Sequence, residues 1–278
     1  MVIFCTDLDN TLIYSYKHEI GAHKICAEVY RGREVSFMTE RTEKLLHEVA
    51  ESVLLVPVTT RTVEQYDRID LGIGRIPYAL VCNGGVLLTD GKEDRAWYEE
   101  SLGLIRGSVQ ELEKAAGILE GDAARCMEVR NVRGLFLFTK SNVPAESAVR
   151  LRQVLDDSLV DVRCQGAKVY VMPKELTKGH AVIRLKDRLT VRRDAGAMAG
   201  GAAAREAGIR VIAAGDSGFD SSMLRCADVG IAPAGLDVGD MEGELVRIGE
   251  EALFSEGMLG CVAKRVTGHG VSITIGGK

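Results

Sequence analysis

The sequence contains no stretch approaching the roughly 18 consecutive apolar residues that a membrane-spanning helix requires, so no membrane partner is expected. It also lacks the basic stretch and uninterrupted apolar run of a secretory leader, because Asp7 and Asp9 break the first apolar run almost at once. Its seven cysteines (Cys5, Cys26, Cys82, Cys126, Cys164, Cys226 and Cys261) are odd in number and include no C-x-x-C pair. They read as buried free thiols in a reducing, cytoplasmic setting. Nor is there an excess of basic charge. A formal net charge of -5 offers no large positive field for gripping a phosphate polymer, so nucleic acid is not expected as the main partner. A small anionic substrate stays open wherever positive charge is local.

What the chain does have is 278 residues, 46% of them hydrophobic, enough for one sizeable core or two smaller ones. Continuous apolar runs rich in β-branched residues predict strands buried on both faces at 2–5, 53–58, 79–82, 210–214 and 229–232. Helical spacing marks 40–51, and Thr62-Val63-Glu64-Gln65 has the form of a capping box. Strands alternating with helices point to an α/β parallel sheet. Between residues 97 and 174 the texture changes. Helix is expected at 101–119 and 145–159, and hairpins at 125–129 with 135–139 and at 160–164 with 168–172. That order describes a small α+β unit inserted into the larger one. Residues 194–205 form a small-residue stretch, compatible with a flexible loop or a tightly packed helix.

In open α/β sheets ligands bind beyond the carboxyl ends of the strands. The residues just past those ends are Asp7 and Asp9; Thr59, Thr60 and Arg61; Asn83, Gly84 and Gly85; and Asp216 with Asp220. Taken singly, each reads as a turn or a helix cap. All of them at strand ends of one chain favour a site. Asp7 and Asp9 are two residues apart, which in extended chain points both to one side, and two such charges repel unless a cation lies between them. Asp216 adds to the crowding. A hard divalent cation such as Mg²⁺, which takes a few carboxylate oxygens and binds substrate phosphate, resolves it. One acid could then act as nucleophile and its neighbour as general acid and base. Lys178, where the insert rejoins the core, is the candidate lysine for neutralising phosphoryl oxygens.

These residues resemble the motifs of the haloacid dehalogenase (HAD) superfamily of phosphatases. Asp7-Leu8-Asp9-Asn10-Thr11 looks like the first motif and Val58-Thr59-Thr60-Arg61 like the second. Lys178-Gly179 looks like the third, and Gly215-Asp216-Ser217-Gly218-Phe219-Asp220 through Leu224 like the fourth. The resemblance implies a Rossmann-like parallel-sheet core formed by 1–96 and 175–278, with 97–174 as an inserted C2-type cap, similar to the C2B version of the Cof-like and sucrose-phosphatase-like branches. It implies that Asp7 is the nucleophile, that Asp9 is the acid and base, with its backbone carbonyl on Mg²⁺, and that Lys178 neutralises charge beside Asp7. Thr59, with Thr60, Arg61, Asn83 and Gly84, would bind substrate. Asp7, Asp9, Asp216 and Asp220 would form the metal site.

The resulting expectation is Mg²⁺-dependent hydrolysis of a small phosphorylated metabolite, a sugar or polyol phosphate, through an aspartyl-phosphate. A phosphomutase and a regulatory phosphate-binding protein of low turnover are the competing readings. Phe219 stands where the branch has asparagine and Thr60 where it has glycine, so loop shape near the phosphate is expected to differ. Arg130, Asn131, Arg133 and Lys168, at or near hairpin turns of the insert, are candidates for choosing the leaving group.

Overall fold

The structure is a computed structural model that describes residues 1–197 and 208–267. Most of the small-residue stretch at 194–205 therefore lies outside the described residues. The central sheet has five parallel strands, in the order Glu244–Ile248, Val229–Pro233, Arg210–Ala214, Val2–Thr6 and Leu54–Pro57. Tyr78–Val81 continues it through a parallel bridge between Val58 and Leu80. The five strands expected from apolar runs are all present, within a residue or so at each end.

Alternation along these strands sorts their side chains onto two faces. Ile3, Cys5, Val56, Val211 and Ala213 pack against Val182, Leu185 and Leu189 of helix Lys178–Ala197 and against Met223 and Leu224. Phe4, Leu55, Ile212, Val229 and Ile231 face Leu46 and Val49 of helix Glu40–Ala50 and Met258, Leu259 and Val262 of helix Phe254–Thr267. Helices on both faces account for why the strands read as unbroken apolar runs. The capping box at Thr62 is present and opens the short helix Val63–Tyr66.

A second sheet is antiparallel, in the order Val160–Gln165, Lys168–Pro173, Phe136–Lys140 and Arg130–Val132. One of its faces (Leu137, Val160, Val162, Val169 and Val171) is covered by Leu112, Ala115 and Leu119 of helix Val109–Glu120 and by Ala148 and Leu151 of helix Pro144–Arg152. Its other face, with Phe136, Phe138, Tyr170 and Met172, turns toward Val81, Val86, Leu88 and Phe219 of the rest of the chain. Helix, hairpin, helix, hairpin is thus the observed order.

Its details correct the sequence reading in three places. The helix expected at 101–119 is two helices, Arg95–Leu104 and Val109–Glu120, parted by a 3-10 turn at Arg106–Ser108. Asp94 caps the first of them, and Gly103 and Gly107 weaken the helix around the break. In the first hairpin the ladder to Phe136–Lys140 is formed by Arg130–Val132, because Arg133 and Gly134 take the left-handed turn at φ 57° and 73°. The expected segment 125–129 meets the end of that strand through an Arg125–Ser141 bridge and the Cys126 N–H on the Lys140 carbonyl. The helix expected at 145–159 ends at Arg152. There Asp156 turns the chain by accepting from the Ser158 N–H and hydroxyl, while Glu111 takes the Asp156 N–H.

Several elements have no counterpart in the sequence reading: a three-stranded sheet of Tyr14–Ser15, Lys24–Tyr30 and Arg33–Thr39, the strands Val86–Thr89 and Lys92–Glu93 that pair beside Tyr78–Val81, the edge strand Glu244–Ile248 and the helix Phe254–Thr267. All seven cysteines are free, as expected, but Cys126 and Cys164 are exposed rather than buried. Among the described residues no helix is long and apolar enough to cross a membrane.

Candidate active site

The sheet register decides where the acids meet. Thr6 is aligned with Ala214 on one side and Pro57 on the other, so three strands end at one level. The Asp7 N–H donates to the Ala214 carbonyl at 2.9 Å and the Val58 N–H to the Thr6 carbonyl at 2.8 Å. Asp7, which follows Thr6 directly, and Thr59 and Asp216, two residues beyond Pro57 and Ala214, therefore come to a common rim, Asp7 lining and the other two adjoining a cavity of about 560 Å³.

At its floor the Lys178 ammonium donates to Asp7 Oδ1 at 2.7 Å and to Asp220 Oδ1 at 2.6 Å. All three residues are buried, with Lys178 only 1% exposed. Burial alone would lower the Lys178 ammonium, but the Asp220 and Asp7 carboxylates outweigh it and hold the group protonated, above its ordinary range. Burial pushes the Asp7 carboxyl up; Lys178 opposes this, and Asp220, Asp9 and Asp216 reinforce it. Burial and then Asp220 push Asp216 up to about 6. Three carboxylates around one ammonium leave the floor with uncompensated negative charge.

Asp7, Asp216 and Asp220 offer carboxylate oxygens that all lie within 4.8 Å of one another. Asp220 is fully engaged, since its Oδ2 also accepts from the Ser217 N–H and hydroxyl. Asp216 Oδ1 accepts from the Thr11 hydroxyl at 3.1 Å. Among the described residues Asp7 Oδ2 has no hydrogen-bond partner, and the Asp216 carboxylate has Thr11 and its own backbone N–H but no cation paired with it. A set of hard anionic oxygens with a charge deficit suits a hard divalent cation.

The Asp9 carboxylate stands outside this trio. Arg61 grips it with two bonds, Nε to Oδ2 at 2.8 Å and Nη2 to Oδ1 at 2.7 Å. Arg61 is itself held by Glu28, through Nη1 to Oε2 at 3.0 Å. Glu28 also accepts from Arg68 Nε at 3.0 Å and from the Ser36 hydroxyl at 2.8 Å. Burial works against the charged Glu28, but Arg61, Ser36 and Arg68 more than offset it, holding its carboxyl below the usual range. Glu28 belongs to the three-stranded sheet that the sequence reading left undescribed, so that sheet fixes Asp9 through Arg61.

The remaining candidates separate into those at the cavity and those behind it. Thr59 is buried beside it, its hydroxyl accepting from the Arg61 N–H at 3.1 Å, and Thr60 lines it. Asn83 and Gly84 are not among the lining residues. The Asn83 amide donates to the Leu176 carbonyl at 2.7 Å, tying down the approach to Lys178. Gly84 sits at φ +86°, where a Cβ would come within 2.3 Å of the Ala181 Cβ, so it lets helix Lys178–Ala197 approach closely. Phe219 does line the cavity, packed edge-on against Tyr170 of the second sheet with centroids 5.1 Å apart. Next to it the Gly218 carbonyl accepts from Arg163 Nη1 at 2.7 Å.

Of the candidates for choosing the leaving group, Lys168 lines the cavity together with Tyr170 and Phe138. Arg133 instead forms a two-bond ion pair with Glu93 at 2.8 and 2.7 Å, and Asn131 accepts from the Gly134 N–H in its turn. The sequence reading missed Glu28, Arg68 and Tyr170. Arg31-Gly32 between two β-prone runs was the available signal for the hairpin that carries Glu28.

No protein-family model matches the chain. A phosphoglycolate phosphatase of Methanopyrus kandleri is 26% identical over 153 residues, an alignment that takes in 55% of this chain and 57% of that enzyme. The match thus spans little more than half the length of that relative. The sucrose-phosphatase of Synechocystis sp., solved with sucrose and phosphate, superposes with a TM-score of 0.59 at 16% identity, covering 94% of this chain and 96% of that one. A trehalose-6-phosphate phosphatase of Aspergillus fumigatus gives 0.51 at 17% identity, covering 95% and 93%. A haloacid dehalogenase-like hydrolase of Bacillus subtilis gives 0.50 at 15% identity, covering 97% and 92%. The chain shares the fold of these proteins, a parallel-sheet core with additional small sheets.

Proposed function

We propose that this chain, which has the fold of HAD-superfamily phosphatases, hydrolyses a phosphoric monoester of a small metabolite, of the sugar, polyol or hydroxy-acid class. The observation that carries the reading is the contact of Lys178 with Asp7 and Asp220, at the rim where the first, third and fourth motifs converge. The phosphatases among the similar proteins support the same chemistry. In this reading residues 1–96 and 175–278 form the core, and 97–174 form a C2-type cap whose aromatic face closes over the site.

Asp7 has one oxygen held by Lys178 and the other unengaged, which orients the free oxygen for attack on phosphorus. A new Asp7 O–P bond forms as the bond from phosphorus to the alcohol oxygen breaks. Thr59 and Lys178 hold the transferring oxygens. Asp9 gives the leaving oxygen its proton, then takes one from the water that cleaves the acyl phosphate. Both Asp9 oxygens already accept from Arg61, so one of those bonds must open before Asp9 can carry a proton. Mg²⁺, held by Asp7, Asp216 and the Asp9 carbonyl with Asp220 in support, would neutralise the crowded carboxylates and the phosphoryl oxygens.

A screen of phosphorylated metabolites with and without Mg²⁺ tests the function. Metal-dependent phosphate release supports it, and its absence with every substrate overturns it. Binding of Mg²⁺ is read separately by thermal unfolding. Because the ion relieves carboxylate repulsion only in the folded chain, saturating Mg²⁺ is expected to stabilise the protein, by about 2.7 kcal/mol at 100 times its Kd. Asp216→Asn should largely remove that gain. An equal gain in the wild type and the variant would show that the ion binds elsewhere.

A further inference from the structure

The cavity-facing side of the second sheet carries positive charge that the chemistry above does not use. Side chains alternate along a strand, so Lys168 shares a face with Tyr170 and Met172. Across the pairing with Phe136–Lys140, Phe138 and Lys140 lie on that same face, and Arg130 lies beyond them opposite Phe138. Lys140 and Lys168 are directly opposed. Such a like-charge pair works against the sheet unless an anion offsets it.

Among the described lysines and arginines that line the cavity, the others are spoken for. Arg61 is paired with Asp9 and Glu28, Arg68 with Glu28, and Lys178 with Asp7 and Asp220. Lys168 makes no ion pair among the described residues and rests on the rings of Phe138 and Tyr170, whose centroids lie 5.7 and 5.9 Å from its ammonium. Burial lowers its hold on the proton; Asp9 opposes this, and Lys140, Arg61 and Arg130 reinforce it. A half-buried ammonium on an aromatic shelf, facing a cavity and with no ion-pair partner among the described residues, is a binding group for an anion.

We propose that Lys168 binds a second anionic group on the leaving-group half of the substrate. The favoured substrate is then a phosphomonoester whose leaving group also carries a carboxylate or another phosphate, rather than a sugar phosphate with an uncharged leaving group. This rests on the phosphatase reading and narrows it. One charged end goes to Lys178 and Asp7, and the other to Lys168.

The test compares kcat/KM for matched pairs: 3-phosphoglycerate against glycerol 3-phosphate for the carboxylate, and fructose 1,6-bisphosphate against fructose 6-phosphate for the phosphate. The wild type should prefer at least one anionic member by roughly tenfold or more, which also identifies the anion. Lys168→Met should erase that preference by a roughly 10- to 100-fold loss on the anionic member, the size of a charge-assisted hydrogen bond. Because Lys168 also acts on Asp9, the readout is the ratio of the two members rather than either alone, and Lys168→Arg should recover part of the preference. Thermal unfolding reads separately that Lys168→Met is folded. No preference in the wild type, or equal losses on both members, would overturn the inference while leaving the phosphatase reading intact. If the wild type releases no phosphate even from p-nitrophenyl phosphate, it is the phosphatase reading that fails, and this inference fails with it.

Discussion

Asp7→Asn is expected to lower phosphate release by at least about 10⁴-fold, the scale seen when a covalent nucleophile is removed, while the protein remains folded. An amide is a poor nucleophile, and the neighbouring carboxylates are committed elsewhere: Asp220 is saturated by Lys178 and Ser217, Asp9 is held by Arg61, and Asp216 is assigned to the metal. The shape of the site should persist, because an asparagine oxygen can still accept from Lys178, which keeps its bond to Asp220. Removing one charge from a buried group of acids should leave metal-free stability unchanged or higher. Single-turnover phosphate release and thermal unfolding read the two halves separately. Residual turnover within a hundredfold of the wild type would mean that another group attacks phosphorus.

Lys178→Met should do the opposite, removing activity and fold stability together. The side chain is 1% exposed and is the cation that bridges Asp7 and Asp220. Without it two buried carboxylates face each other and Asp216 with no partner of opposite sign, a defect that typically costs about 3–5 kcal/mol. The sign of the pH dependence follows. Burial already holds the Asp7 carboxyl above its ordinary range, and losing Lys178 raises it further. A raised carboxyl penalises the folded state at pH above its unfolded value, and protonation relieves the penalty as the pH falls. The variant should therefore be weakest relative to the wild type near neutral pH, and the gap should narrow toward pH 5. Urea unfolding at both pH values checks this. A gap that widens on acidification would mean that Lys178 stabilises by packing rather than by charge.

The parts of this molecule that were legible in its sequence share a physical cause. Strands covered on both faces must be apolar throughout, so 2–5 and 210–214 announce themselves, and the polar residues that follow mark the rim. The Thr62 capping box is equally local, a matter of two side chains three residues apart. Glu28 was hidden for the opposite reason. The pairing of Lys24–Tyr30 with Arg33–Thr39 shifts register on either side of Glu28, which breaks the two-residue alternation and leaves this acid buried at 4% exposure. A glutamate in an irregular strand reads as a surface residue until Arg61 and Arg68 are seen to converge on it. Asn83-Gly84 was ambiguous because one local geometry serves a turn and a ligand loop alike; only the contact with Leu176 shows what it holds. The order of helices and hairpins in the insert was readable, but not its exact limits, which depend on turn conformations at Arg133 and Asp156.

The bonds that assemble the site span great lengths of chain: 171 residues separate Lys178 from Asp7, and 205 separate Asp216 from Thr11. Contacts between such distant points form only after the entropy of closing long loops has been met. A refolding chain should thus regain its helices well before it can turn over a single molecule. Recovered catalysis would be a stopwatch for the final stage of folding, lagging the return of the circular-dichroism signal.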